Sequence, residues 1–261
     1  MTTDPSIGII IPAYDPDILT LEHYIERIRH ILTPEIIRVE IDAPKQAHVD
    51  RLKDVADVVN VSTNRRGKGG AIMEGFDAVE TDVLAFADAD GSIPAASLNN
   101  VVRHVSDSRT DVSIGSRRHP ASHIIAHQTT IRRFLGDVFA FAARKLLPTQ
   151  CRDYQCGAKA VRAEAWNSIG HHCYEAGFAW DLEFVSVAGS LGYDIAEVPV
   201  DWKDHPDSTV NPVSTALELA TALFDVKRRT DAIATSPRFR NITKTNHSTL
   251  TKAGFDSEDD D

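Results

Sequence analysis

The sequence predicts an α/β protein with a mainly parallel central sheet flanked by helices. Three observations carry this. Apolar runs of strand length recur between helical patterns, and most are apolar throughout, as strands buried on both faces are. Polar clusters fall at their carboxyl ends, where open α/β sheets bind ligands. The first run, Ile7–Ile11, is closed by Pro12, which suits a buried strand. A helical pattern follows from about Asp17 to Leu32 and is broken by Pro34. Arg38–Asp42 alternates like a strand, and Val58–Ser62 is a further apolar run. Gly67–Val79 reads as a helix that begins in glycines. Val83–Ala87 is a buried strand that delivers Asp88-Ala-Asp90-Gly91 to its end. A helix over Ala95–Val105 and a strand over Asp111–Gly115 complete the first half.

The second half is more helical. Gln128–Leu147 is a long helical pattern with Phe134, Phe139 and Phe141 beside Arg132, Arg133, Arg144 and Lys145. A polar turn at Arg152–Gly157 precedes helices near Ala163–Ile169 and Ala179–Ser190, then a strand at Ile195–Val200. A last helix covers roughly Val213–Arg229. Beyond Thr230 the chain is polar, aperiodic and acidic at its end, the composition of a disordered tail.

The chain has 261 residues, 42% hydrophobic and 25% charged, with a net charge of −10. That balance disfavours a general nucleic-acid binder. No run approaches the roughly 18–20 apolar residues of a membrane span, and the start MTTDPS carries no secretory signal pattern. Cys151, Cys156 and Cys173 are odd in number and at no CxxC spacing, which argues for a reducing compartment. Together with His171 and His172 they fit no common zinc pattern.

Asp88-Ala-Asp90 is the sharpest chemical feature. Two carboxylates at the mouth of a buried strand can hold Mg²⁺ or Mn²⁺ jointly with a diphosphate, because these hard cations prefer oxygen ligands. The plain alternative is a solvated acidic turn. Asn64-Arg-Arg-Gly-Lys68-Gly-Gly-Ala71 lacks P-loop spacing, yet a glycine turn leading into a helix offers N–H groups to an anion. The same glycines could serve backbone geometry alone. Residues 117–152 hold seven Arg/Lys and one acid, Asp137. Such a basic, Phe-containing helix is either a membrane-surface element or a core stripe with solvated arginines.

Taken in order, several motifs resemble the family 2 glycosyltransferases with a GT-A fold, and more closely their dolichyl-phosphate glucosyltransferase and dolichyl-phosphate mannose synthase branch. They are Pro12-Ala-Tyr14, Asn64–Ala71, Ala87-Asp-Ala-Asp-Gly91, Gly115-Ser-Arg117, Asp153-Tyr-Gln-Cys-Gly-Ala-Lys159, Phe178-Ala-Trp-Asp-Leu-Glu183 and Glu197–Trp202. The resemblance implies one domain over 1–230, with a nucleotide-binding half at about 5–117 and an acceptor half at about 118–230, followed by a tail over 231–261. It implies that Pro12, Ala13, Tyr14 and Asp15 line a nucleobase pocket, with Asp42 on the base or ribose. Lys68, Asp88 and Ala89 would lie near the nucleotide, and Asp90 with Ser92 would ligate the metal. Arg117 would meet a phosphate, and Asp181 would act as base or orient its neighbours. Arg132, Gln155, Cys156, Gly157, Trp180, Glu183 and Lys203 would shape the sugar and acceptor site. Three departures stand out. Asp15-Pro-Asp17 replaces the usual Asn-Glu-Glu, Asp42 stands alone where two acids are common, and Ser208-Thr209 replaces a Ser-Lys pair.

The activity so implied is inverting transfer of a hexose, glucose preferred and mannose possible, from UDP-glucose or GDP-mannose to a dolichyl or polyprenyl phosphate. It would take place peripherally, at the cytoplasmic membrane face. Transfer to a sugar hydroxyl of a lipid-linked glycan is the second enzymatic reading, and a non-catalytic sugar-nucleotide-binding protein is the reading from another class.

Overall fold

The computed structural model describes residues 4–124, 141–147, 149–203 and 212–235. Its centre is a seven-stranded sheet of order β3-β2-β1-β4-β7-β5-β8. The strands are β1 (Ile7–Tyr14), β2 (Ile36–Asp42), β3 (Val58–Ser62), β4 (Val83–Ala87), β5 (Val112–Ser116), β7 (Ala158–Arg162) and β8 (Ile195–Pro199). β1 runs parallel to β2 and β4, β2 to β3, and β5 to β8, which makes the sheet mainly parallel. β7 is antiparallel to both β4 and β5. A two-stranded piece, β6 (His123–Ile124) with β9 (Asp201–Trp202), lies apart.

β7 was not anticipated. The segment Ala-Lys-Ala-Val-Arg has one β-branched residue and follows a polar turn, so it carries little strand signal of its own. Its place is set by tertiary pairing on both sides. Helix α2 (Gln46–Leu52) is likewise additional. The other helices are α1 (Ile18–Leu32), α3 (Lys68–Asp77), α4 (Ala95–Ser106), α5 (Ala163–Ile169), α6 (Trp180–Ser190) and α7 (Pro212–Thr235). Residues 141–146 are also helical. The last helix therefore runs past Arg229, and the tail expected from 231 begins no earlier than 236, since Ile233 is buried against the core. Arg132, Arg133, Phe134, Phe139, Ser208, Thr209 and the tail beyond 235 lie outside the described residues.

Because successive strand side chains point to opposite faces, β1 feeds two cores. Ile9 and Ile11 pack with α1 and α4, through Leu21, Ile25, Leu98 and Val102. Ile10 packs on the opposite face with Phe76, Trp166 and Trp180. Trp180 stacks on Phe184 with ring centroids 5.0 Å apart and meets Phe86 edge-on at 5.5 Å. Such pairs contribute about 0.5–1.5 kcal/mol each beyond the burial of apolar area. This aromatic block fixes α6 against β4, and so places Asp181 opposite Asp88.

Candidate active site

The site lies beyond the carboxyl ends of β1, β2 and β4. Pro12 and Ala13 are buried at the end of β1, while Tyr14 is half exposed with the Arg65 guanidinium 4.1 Å above its ring. Asp15 follows in a left-handed conformation and is exposed. Tyr14 pairs in register with Asp42, the last residue of β2.

Asp42 differs from its implied role on base or ribose. Its carboxylate is 3% exposed and already engaged. Oδ2 accepts the N–H groups of Arg66 (2.7 Å) and Gly67 (3.2 Å), and Oδ1 accepts Arg66 Nε at 2.8 Å. Arg66 Nη1 also donates to buried Glu40 (2.6 Å) and to Glu74 (2.7 Å). Asp42 thus shapes the 64–68 turn from beneath. Gly67 takes φ +84°, where a Cβ would lie 2.5 Å from the Ala176 carbonyl oxygen. Replacing Arg66 by methionine leaves Glu40 buried with a single cation, Arg38, beside it. A loss of about 2–4 kcal/mol is expected in denaturant melts.

The turn delivers Lys68, the first residue of α3, to the acid pair. Its ammonium lies 2.8 Å from Asp88 Oδ1 and 2.8 Å from Asp181 Oδ2. Lys159 of β7, 1% exposed, donates to the other oxygen of Asp181 and, at 2.9 Å, to the Cys156 carbonyl. Both ammonium groups lie near the Phe86 ring, at 5.0 and 5.3 Å. Burial alone would raise the Asp181 carboxyl, but Lys159 and Lys68 outweigh it and hold it below the usual carboxylate range. Lys68, although buried, is held above its usual value by Asp181 and Asp88. Asp88 goes the other way, because burial together with Asp90 and Asp181 exceeds the effect of Lys68.

Asp88 is seated by the 155–157 turn. Its N–H donates to the Gly157 carbonyl at 2.9 Å, and a Cβ on Gly157 would sit 2.0 Å from Asp88 Oδ2. Ala89 is partly buried against the core. Asp90 is exposed, with Oδ1 accepting the Ser92 N–H at 2.9 Å. Ser92 is buried, and its carbonyl accepts the N–H of exposed Lys203 at 3.0 Å. Beneath the turn, buried Tyr24 packs 3.5 Å from the Gly91 Cβ position, and its hydroxyl has no hydrogen-bond partner among the described residues. No group of three His, Cys, Asp or Glu among the described residues could cage a metal. Exposed Asp90, with Lys68-paired Asp88 beside it, could instead take a hard cation whose remaining oxygens come from a diphosphate.

Arg117 is gripped by Asp153, with Nε and Nη2 at 2.7 and 2.8 Å and its own N–H at 3.0 Å. The Gln155 N–H joins the same carboxylate at 3.2 Å. Burial opposes the Asp153 charge, yet Arg117 prevails and draws it down to about 2. The unfolded value is about 3.9. A depressed acid stabilises the fold above its unfolded pKa and stops doing so as pH falls through the folded one. Asp153→Asn should therefore cost about 2–3 kcal/mol near neutral pH, a difference that shrinks between pH 4 and 2 in urea melts.

Three residues implied for the acceptor site lie elsewhere. Trp180 and Cys156 are fully buried in the two cores, and burial pushes the Cys156 thiol up to about 12. Glu183, also fully buried, accepts the N–H groups of Tyr174 and Glu175 at 2.7 Å each. Lys159, Asp153, Arg66 and Glu40 were assigned no role from sequence. The signal available for Lys159 was a lysine set among small apolar residues at 157–161. All three cysteines are free and buried.

The acid pair stands beside the exit of β4, at the strand ends where open α/β sheets take their ligands. The Glycosyl transferase family 2 model matches residues 8–170, and the chain belongs to that family. Its fold is GT-A. It superposes on glucosyl-3-phosphoglycerate synthase from Mycobacterium tuberculosis, solved with Mn²⁺, uridine-diphosphate-glucose and phosphoglyceric acid, with TM-score 0.65 and 13% identity. That match covers 85% of this chain and 80% of the other. Mannosyl-3-phosphoglycerate synthase from Rubrobacter xylanophilus matches with TM-score 0.64 and 12% identity, over 86% and 73% of the two chains. In sequence it is 27% identical over 229 residues to glycosyltransferase AglD of Haloferax volcanii. There the match covers 84% of this chain but only 36% of AglD. It is 28% identical over 243 residues to the dolichyl-phosphate beta-glucosyltransferase of Mus musculus, covering 85% and 75%.

Proposed function

We propose that the protein is an inverting hexosyltransferase that moves a sugar, glucose before mannose, from a nucleoside diphosphate to a polyprenyl phosphate of dolichyl type. The observation that carries this reading is the state of Asp181. Both of its oxygens accept from lysine ammonium groups and the residue is 2% exposed, so it stands in a buried ion-pair network rather than open to an incoming hydroxyl. A phosphate acceptor needs no such base, since a phosphomonoester has its second pKa near 6 and arrives ionised. The relatives named for dolichyl phosphate support the same acceptor class.

The chemistry is one displacement. An acceptor phosphate oxygen attacks the anomeric carbon as its bond to the diphosphate oxygen breaks, and the nucleoside diphosphate leaves with the electron pair. An α-linked donor then gives a β-linked lipid-phosphate sugar. Asp90, beside Asp88 and Ser92, would hold a Mg²⁺ or Mn²⁺ ion, which when bound would supply charge to stabilise this leaving group. Lys68, anchored by Asp181, keeps a second positive charge beside Asp88. Arg117, fixed by Asp153, offers a guanidinium to acceptor or donor phosphate. Tyr14 with Arg65 above it gives the nucleobase a flat face.

We place the reaction at the cytoplasmic membrane face, approached peripherally through the basic 117–152 segment. No described helix is long and apolar enough to cross a membrane. Phe141 is 59% exposed with Lys145 5.9 Å from its ring, and Ile124 is 49% exposed. Of the stripe's phenylalanines, Phe141 is the one among the described residues, and its exposure supports this reading, while Ala143 and Leu147 of the same stretch are buried in the core. Feeding protein N-glycosylation or another lipid-linked glycan is the corresponding pathway class.

The test incubates purified protein with labelled UDP-glucose or GDP-mannose, polyprenyl phosphate in vesicles, and Mn²⁺, with and without chelator. Label should enter the lipid fraction as an acid-labile phosphodiester, and chelator should abolish it. Label entering a lipid-linked glycan supplied in a parallel reaction, and not polyprenyl phosphate, would replace this reading by the hydroxyl-acceptor one. Nucleotide binding without any transfer would favour a sensor.

A further inference from the structure

Glu183 and the C-terminal helix have no part in the transfer chemistry above, yet they meet. Arg229 of α7 donates through Nη2 to Glu175 Oε1 at 2.5 Å, and the same nitrogen lies 3.0 Å from Glu183 Oε1. Its guanidinium also lies 5.7 Å from the Tyr174 ring. Glu183 Oε2 holds the backbone of Tyr174 and Glu175. One cation therefore keeps two carboxylates together at the head of the 174–177 loop. The following carbonyls bear on the glycine turn. Ala176 O accepts the Gly70 N–H at 3.0 Å, and a Cβ on Gly69 would come within 2.3 Å of Glu175 O. Lys68 lies between Gly67 and Gly69, so the height of this loop sets where its ammonium stands.

We infer that Arg229 and Glu183 form a strut through which the C-terminal helix positions the 67–70 turn and Lys68 for the donor diphosphate. The strut lies outside residues 8–170, the stretch matched by the family model. The inference rests on the reading that Lys68 serves the donor. Without Arg229, Glu175 and Glu183 would face each other as two poorly solvated carboxylates, and the loop would open to separate them. Both are positioning residues, since neither touches the cleft.

Calorimetric titration of the full chain with UDP and with GDP, in Mn²⁺, tests it. Arg229→Gln should weaken binding of the preferred diphosphate about tenfold, the scale of one lost coupling. In the transfer assay the donor KM should rise in step while kcat at saturating donor stays within about twofold. Adding Glu175→Gln removes the opposed charge, and the double variant should recover to within about threefold of wild type. General destabilisation would not give that recovery. If Arg229→Gln does not fold, Arg229→Lys takes its place, with a shift of about two- to fourfold expected. A folded Arg229 variant that binds the diphosphate as wild type does overturns the strut. A wild-type protein that binds neither diphosphate overturns the donor-site reading instead.

Discussion

Asp90→Ala should lower turnover by about a thousandfold, the scale set by losing one preorganised group that meets developing charge. Asp90 is the exposed member of the pair, and its carboxylate holds only the Ser92 N–H among the described hydrogen bonds. The melting transition should therefore move by no more than the ~0.5 kcal/mol typical of surface positions. Activity lost with the fold retained is the signature of a group that works on the substrate. Asp90→Asn keeps the size and the acceptor oxygen but not the charge, and should behave almost as badly. Steady-state transfer beside a thermal melt checks both. Wild-type turnover in Asp90→Ala would remove the basis for the metal assignment.

Asp181→Ala should do the reverse and damage the fold first. Asp181 is 2% exposed and lies between two ammonium groups, one of which, on Lys159, is 1% exposed. Taking the carboxylate away leaves Lys159 buried with the Cys156 carbonyl as its one hydrogen-bond partner among the described residues. Breaking a buried pair in this way costs about 3–5 kcal/mol, far more than the pair itself contributes over an apolar replacement. Asp181→Leu with Lys159→Met should accordingly recover most of the stability. It should not recover activity, because Lys68 has then lost its anchor opposite Asp88. An Asp181 that served as an exposed base would give the opposite result, with transfer abolished and the urea midpoint unchanged. The lowered Asp181 pKa gives this stabilisation a sign with pH. It is present above the unfolded value of about 4 and fades as acid approaches the folded one.

The parallel half of the sheet was legible because its strands are uniform apolar runs with distinct ends. Ile7–Ile11, Val58–Ser62 and Val83–Ala87 were read within a few residues of their observed limits. β7 was not, because its residues are small and one is charged. Only pairing with β4 and β5, and the salt link from Lys159 to Asp181, makes it a central strand. Composition cannot show such a link, since it joins residues 22 positions apart. Within the site, Lys68, Asp88 and Asp181, which the motifs single out, meet through two salt bridges, and Asp90 lies exposed two residues beyond Asp88. Trp180 and Glu183 were given to the acceptor cleft because they flank Asp181 in one motif. A helix turns each residue by about 100°, so neighbours in sequence face different ways. Trp180 goes to the aromatic core and Glu183 to the 174–175 backbone. Asp42 shows the same effect, a strand-end acid turned inward onto Arg66.

The most direct test of the account is a crystal soaked with UDP-glucose and Mn²⁺, measured at a wavelength where manganese scatters anomalously. One strong anomalous peak is expected within coordination distance of the Asp90 carboxylate, touching the donor diphosphate, with the base against Tyr14. A nucleotide bound elsewhere, with Asp90 turned to solvent and no manganese near it, would contradict it.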